Sequence, residues 1–137
     1  HGCGPSPTRQ LVVEIPAGVQ GARPMPHPGW TVAIERAPLA RPYVNHGRTV
    51  TEDVVRITWT AKSPADMLAA DHYDEFALQA RLPEAPGALA WPVSQVCEQG
   101  RLDWVQVPAP GQAASALQAP APVLDILPAG AGASHSH

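Results

Sequence analysis

Hydrophobic and polar residues alternate along several short segments of the chain. In VVRITWT, residues 54–60, the side chains of Val55, Ile57 and Trp59 fall on one face, and polar side chains fall on the other. This two-residue period is typical of a half-buried β-strand. The segment YDEFALQARLP repeats it, with Phe76, Leu78, Ala80 and Leu82 predicted to face inward. Five further segments predict strands, giving about seven in all: RQLVVEIP, WTVAIER, ALAWPVSQVCEQ, LDWVQVP and VLDILP.

Proline and glycine separate these segments and determine the predicted fold class. The chain has 17 prolines and 11 glycines, and an interior proline costs a helix about 3 kcal/mol. Turn sequences such as PHPGW, NHGR, PEAPG and EQGR lie between the predicted strands. Short strands with this spacing predict an all-β fold, an antiparallel β-sandwich of the immunoglobulin or fibronectin type III kind. A short helix is predicted within SPADMLAAD or QAASALQA, and Pro92 predicts a strand edge or a bulge.

Length and charge limit the domain organisation and the partners. A chain of 137 residues is long enough for one domain, predicted over residues 1–128, followed by a disordered tail, AGAGASHSH, over residues 129–137. Nine basic and twelve acidic residues give a net charge of -3 and no basic stripe, which argues against nucleic acid as a partner. No apolar run is long enough for a membrane span. The chain also lacks the G-x-S-x-G and H-E-x-x-H motifs, and we expect no enzymatic activity.

The two cysteines, Cys3 and Cys97, leave two interpretations open. Their spacing excludes a C-x-x-C redox motif, and two thiolates are too few for a closed zinc site. They are either joined in a structural disulfide, which we favour, or are unrelated buried thiols. A disulfide would close a loop of about 95 residues, which the chain-entropy relation values at about 4 to 5 kcal/mol. Such a bond persists in an oxidising compartment and would favour the periplasm or the cell exterior.

Several motifs resemble those of a known family. These are ARPMPHPGWTVAIER, HGRTVTEDVVRITWT, SPAD and HYDEFALQARLPEAPGALAWPVSQVCEQGRLDWVQVP, which follow one another in this order between residues 22 and 108. They are similar to the YcnI-like family of secreted copper-binding proteins, and the match runs from HGC to LDILP. The resemblance implies a fibronectin-like sandwich and Cu(II) bound by a single-histidine brace. In that brace an N-terminal histidine chelates through its amine and ring nitrogen, a carboxylate assists, and a tryptophan lies close by. Trp104 matches that tryptophan.

His1 is the candidate copper ligand on chemical grounds. In similar proteins the sequence HGC follows a further N-terminal segment that the brace histidine opens, so His1 matches an interior position. Either this sequence begins partway into the domain, or this variant lacks the first strand. A free α-amino group has a reference pKa of about 7.7 to 8 and an imidazole one of about 6.5, so an N-terminal histidine can chelate copper near neutrality. The assisting carboxylate is left open among Glu52, Asp53 and Glu98.

The other candidate ligands each have a structural interpretation. Met25 and His27 form an M-x-H pair that suits copper, yet the flanking prolines favour a loop held against the sheet. His72 adjoins acidic residues, where a solvated strand end is the favoured interpretation. His135 and His137 lie in the tail and could bind metal only unselectively. Trp104 could equally belong to the core.

These observations give two hypotheses of function. The first is a periplasmic or secreted copper-binding protein, a chaperone or storage module that transfers copper to a membrane transporter or another copper chaperone. The alternative is an immunoglobulin-like module that binds a partner protein and has no physiological metal, since the fold by itself does not specify function.

Overall fold

A computed structural model describes residues 2–130. Nine β-strands follow one another within that range: β1 (Thr8–Glu14), β2 (Gln20–Pro24), β3 (Trp30–Asn45), β4 (Arg48–Ala61), β5 (Leu78–Arg81), β6 (Gly87–Ala90), β7 (Val93–Cys97), β8 (Arg101–Trp104) and β9 (Val123–Ile126). Short 3₁₀ turns occur at Pro64–Asp66 and Ala114–Ala116, within the two segments predicted to be helical. The described chain is therefore all-β, as predicted.

The strands form one large sheet and two small antiparallel ladders. The large sheet has the order β3-β4-β1-β7-β8, and the ladders are β2-β5 and β6-β9. Side chains from β2 and β5, including Ala22 and Leu78, pack against the large sheet. The two layers enclose the hydrophobic core of an antiparallel β-sandwich.

The core is centred on β4, as the alternation predicts. Ile57 and Trp59 are fully buried, and Trp59 Nε1 donates a hydrogen bond to the carbonyl oxygen of Met25 at 3.2 Å. Val55, however, is only half-buried, and Val54 occupies the core instead. The pairing register between β3 and β4 shifts at this point, because Val55 is an extra residue in β4. Such a bulge changes the phase of the alternation.

A disulfide joins Cys3 to Cys97, with their Cα atoms 6.3 Å apart. The favoured interpretation of the cysteines is therefore confirmed. Cys97 ends β7 and is almost fully buried beside Thr8, the first residue of the central strand β1. The disulfide thus fastens the start of the described chain to the end of β7, between the central strand β1 and the edge strand β8.

Several predicted strand boundaries are wrong, and nine strands form where about seven were predicted, with β3 and β4 longer than the segments WTVAIER and VVRITWT. The strand predicted over YDEFALQARLP is confined to Leu78–Arg81, and Leu82 is 40% exposed instead of facing inward. The segment ALAWPVSQVCEQ is divided at Pro92 into β6 and β7, which belong to different sheets. Proline lacks the N–H that a continuous central strand would need there. Strand β2 was not predicted, because its sequence QGARP contains glycine and proline and shows no alternation.

Candidate functional site

The segment before β1 lies along the turn between β7 and β8. Backbone N–H of Glu98 donates to the carbonyl oxygen of Pro7 at 2.9 Å, and that of Gln99 donates to Ser6 Oγ at 2.8 Å. Together with the disulfide, these hydrogen bonds position the first described residues at one edge of the large sheet. We call this region, comprising Gly2, Cys3, Gln95, Cys97 and Trp104, the N-terminal edge.

Gln95 connects the parts of the N-terminal edge. Its Nε2 donates to Thr8 Oγ1 at 2.7 Å, and its Oε1 accepts a hydrogen bond from Trp104 Nε1 at 3.2 Å. A Cβ placed on Gly2 would stand 3.6 Å from the same Nε2 atom. One amide group therefore contacts the start of the chain, the central strand and the tryptophan.

Trp104, the tryptophan matched by the resemblance, is half-buried at the end of the edge strand β8. Its indole donates a hydrogen bond to Gln95, and its backbone pairs in register with Val93. The structure thus brings Trp104 close to the beginning of the chain. His1, the candidate ligand that precedes Gly2, lies outside the described residues, as do His135 and His137.

Of the three candidate carboxylates, Glu98 lies at one end of the large sheet, and Glu52 and Asp53 lie toward the other end. Glu98 follows Cys97 directly and is exposed at the N-terminal edge. Glu14, the last residue of β1, pairs with Arg56 of β4, and Glu52 and Asp53 lie beyond that pair. Six strand steps span about 20 Å, so Glu52 and Asp53 lie farther than that from Thr8 and the disulfide. Glu98 is the one of the three at the N-terminal edge.

Asp53 is instead part of a buried hydrogen-bond cluster. Its carboxylate is 3% exposed and accepts hydrogen bonds from Tyr43 Oη at 2.5 Å, from Gly21 N at 3.0 Å and from Val54 N at 2.8 Å. Burial raises the pKa of Asp53, but these hydrogen bonds outweigh it and hold the pKa below its usual value. Burial, and then the hydrogen bond to Asp53, raise the pKa of Tyr43 to about 12. The phenol therefore remains a donor to an ionised carboxylate.

The structural interpretation of His27 agrees with its contacts. Its Nε2 lies 2.8 Å from Asp74 Oδ2, and its ring stacks on Phe76 with the centroids 4.4 Å apart. Met25, its partner in the M-x-H pair, is 62% exposed. His72 is exposed and lies 3.9 Å from Asp71. Residues 2–130 contain no group of three or more His, Cys, Asp or Glu side chains arranged to hold a metal ion.

Sequence reasoning missed Gln95, although a signal was present. In β7 the alternation places Gln95 on the same face as Val93 and Cys97, and a polar residue among apolar ones on a strand face needs a hydrogen-bonding partner.

Sequence reasoning also missed a cleft of about 750 Å³ between β2-β5 and the far half of the β3-β4 hairpin, which Asp53 and several arginines line. These residues come from four separate segments of the sequence, and nothing in their spacing connects them.

The fold and the disulfide define an immunoglobulin-like antiparallel β-sandwich protein. The chain belongs to the family described as "Domain of unknown function (DUF1775)", which it matches over residues 1–126. It is also similar to an uncharacterized protein from Nocardia farcinica, whose crystal structure is reported to reveal an immunoglobulin-like fold. The two share 24% sequence identity with a TM-score of 0.68, over 91% of this chain and 80% of that one. No curated protein matches the sequence. No helix within residues 2–130 is long and apolar enough to cross a membrane.

Proposed function

We propose that this protein is an exported, non-enzymatic copper-binding protein that holds Cu(II) at its N-terminal edge. The observation that carries the proposal is the position of Gln95, whose side chain accepts a hydrogen bond from Trp104 and lies beside Gly2, the residue between His1 and the disulfide-bonded Cys3. An imidazole and a free amine at this position would be attached to a fixed part of the sheet. A fixed attachment reduces the conformational entropy that metal binding must overcome.

The donors available at this edge suit Cu(II) better than harder or softer ions. A histidine ring and an α-amine are nitrogen ligands, which Cu(II) prefers, and Glu98 could supply an oxygen. The indole of Trp104 would lie near the ion as an apolar shield, without bonding to it. Because the described residues form no metal-binding group by themselves, this site depends on His1.

A copper site at an exposed edge of the sheet would suit a protein that transfers copper. A ligand set confined to one exposed edge can be approached by a second copper protein. We therefore propose that the protein is a chaperone or storage module of the periplasm or the cell exterior. Its partner would be a membrane copper transporter or another copper chaperone.

Calorimetric titration with Cu(II) tests the proposal. The protein is prepared with His1 as its first residue and with His135 and His137 replaced by alanine, so that the tail histidines do not bind. We expect one saturable site, lost in His1→Ala and retained in the control His72→Ala, whose side chain is exposed. Extending the chain by two residues before His1 blocks the amine and should weaken binding. Absence of saturable binding, or binding unchanged by His1→Ala, would contradict the proposal.

Tryptophan fluorescence locates the bound ion independently. Of the four tryptophans, Trp30 and Trp59 are buried in the core and Trp91 packs against it, whereas Trp104 lies at the N-terminal edge. Cu(II) bound at this edge should quench mainly the emission of Trp104. We expect most of the saturable quenching to disappear in Trp104→Phe. Equal quenching in Trp104→Phe and the unsubstituted protein would place the ion elsewhere.

A further inference from the structure

A cleft at the opposite end of the sandwich from the disulfide has no part in the proposed copper site. It has a volume of about 750 Å³ and lies between the β2-β5 ladder and the outer part of the β3-β4 hairpin. This volume is within the range of small-molecule sites, about 300 to 1,000 Å³. Its lining combines apolar surface with several side chains that can donate hydrogen bonds.

Three arginines line the cleft, one from each of three strands: Arg23 of β2, Arg36 of β3 and Arg81 of β5. Arg23 Nη2 donates to Gln79 Oε1 at 3.0 Å, which orients its guanidinium. Arg81 has only a long 3.9 Å ion pair with the exposed Glu84. Within residues 2–130, Arg36 has neither a hydrogen bond nor an ion pair from its side chain, and its positive charge is one of the causes that lower the pKa of Asp53. Guanidinium groups on several walls of one cleft are suited to carboxylate or phosphate oxygens.

The one carboxylate in the lining does not cancel this positive charge. Asp53 is buried, and Tyr43, Gly21 and Val54 already donate three hydrogen bonds to it. Three arginines against one carboxylate leave the lining with an excess of positive charge. The cleft therefore favours an anion over a cation or a neutral sugar.

The backbone around the cleft is adapted to hold Asp53 in place. The β2-β5 register shifts between Gln20 and Arg23, and Gly21 within this bulge has φ +61°. The bulge turns the Gly21 N–H toward Asp53. The carboxylate thereby anchors β2 to the β3-β4 hairpin and keeps the arginines of the two elements facing one cleft.

His46 adds an imidazole ring to the lining of the cleft. It lines the same cleft and lies at the β3-β4 turn with φ +48°, the one non-glycine residue with positive φ in the described chain. Asparagine or glycine adopts this left-handed conformation at lower cost than histidine. The two-residue hairpin turn requires positive φ at both central positions, and Gly47 beside His46 has φ +75°.

We propose that this cleft binds a small multivalent oxyanion through Arg23, Arg36, Arg81 and His46. Carboxylate and phosphate groups offer the same chemistry to guanidinium groups, so the ligand class comprises small polycarboxylates and small phosphorylated molecules. The site is separate from the proposed copper site, and neither proposal depends on the other.

The test is an NMR titration of the ¹⁵N-labelled protein, without copper and at constant ionic strength, with citrate in one arm and pyrophosphate in the other. We expect saturable shifts at the amides of Gly21, His46 and Val54, with a dissociation constant of about 1 mM or lower. Tighter binding of citrate assigns the ligand to the carboxylates, and tighter binding of pyrophosphate assigns it to the phosphates. Shifts that stay linear in both arms, or that scatter over distant arginines such as Arg101, would overturn the proposal.

Substitutions inside and outside the cleft distinguish binding of an anion in the cleft from nonspecific attraction of the anion to the charge of the protein. Arg36→Gln should weaken binding about tenfold or more, because charge-assisted hydrogen bonds are lost. The control Arg101→Gln makes the same charge change on β8 and should alter the affinity by less than about twofold. His46→Asn should weaken binding while raising the melting temperature, since asparagine relieves the backbone strain. Equal effects of Arg36→Gln and Arg101→Gln, or unchanged affinity in His46→Asn, would contradict the assignment.

Discussion

Reduction of the Cys3–Cys97 disulfide is expected to lower the free energy of unfolding by about 4 to 5 kcal/mol. The bond joins residues 94 positions apart. The chain-entropy relation assigns a loop of this length a loss of about 16 cal/mol/K in the unfolded state, or about 4.7 kcal/mol at 25 °C. A domain of this size has a total stability of about 5 to 15 kcal/mol, so the bond supplies a large share of it.

Urea denaturation at 25 °C, followed by circular dichroism and tryptophan fluorescence, measures this difference between oxidised protein and protein in excess reductant. The denaturant slope should rise on reduction, because the unfolded chain becomes free to expand. A protein of 137 residues has an unfolding entropy of about 0.3 kcal/mol/K, and the melting temperature should fall by about 15 °C.

The variant with both Cys3→Ser and Cys97→Ser is the control, since reductant should not change its stability. Thr8 Oγ1 lies 4.0 Å from Cys97 Sγ and offers a partner to the new hydroxyl. A difference of less than about 1 kcal/mol between the oxidised and reduced proteins would refute the loop-entropy reasoning. It would mean that contacts in the unfolded chain already hold the two ends together.

Three further substitutions test the packing. Asp53→Asn should cost about 2 to 4 kcal/mol at pH 7, because the amide keeps only one of the two acceptor oxygens and its NH₂ group would face at least one of the three donors. Since the folded pKa of Asp53 is lowered, its stabilisation is present above the unfolded value and lost as the pH falls below about 4, so urea melts of the two proteins should converge there. Gly29→Ala should lower the melting temperature more than Gly111→Ala. Both glycines have φ near +80°, but only the first would place its Cβ 2.6 Å from Asp66 Oδ1. Ile57→Ala should cost about 2 to 5 kcal/mol in the same urea assay, as its side chain is fully buried.

The local alternation of hydrophobic and polar residues predicted the strands that are stabilised by burial of apolar side chains. Ile57 and Trp59 fall on one face by alternation, and burying two large side chains on that face fixes the register of β4. Cysteine chemistry likewise left few interpretations for Cys3 and Cys97. The β4 prediction succeeds because it depends on the hydrophobic pattern of one segment. The cysteine prediction succeeds because it depends on the covalent chemistry that two cysteines can undergo.

The parts that could not be predicted depend on tertiary contacts. Strand β2 has no alternation, and it forms because Gly21 donates to Asp53 and because Ala22 packs in the core. The bulge at Val55 changes which valine of β4 is buried, and no sequence period shows it. The oxyanion cleft combines residues from four strands, so it becomes visible only when the fold is known.

The two proposed sites should respond differently to loss of the disulfide. The double serine variant removes the covalent bond that holds Gly2 beside Gln95, so binding of Cu(II) at the N-terminal edge should weaken by about tenfold or more, as the ligands lose their fixed attachment. The oxyanion cleft lies beyond the far end of β1 and is held by Asp53, so the affinity for citrate should stay within about twofold wherever the variant is still folded. Calorimetry with Cu(II) and the NMR titration with citrate, both on protein shown by circular dichroism to be folded, compare the two affinities. Parallel loss of both affinities would mean that the variant has lost its tertiary packing generally. Unchanged Cu(II) binding would show that the disulfide does not position the copper ligands.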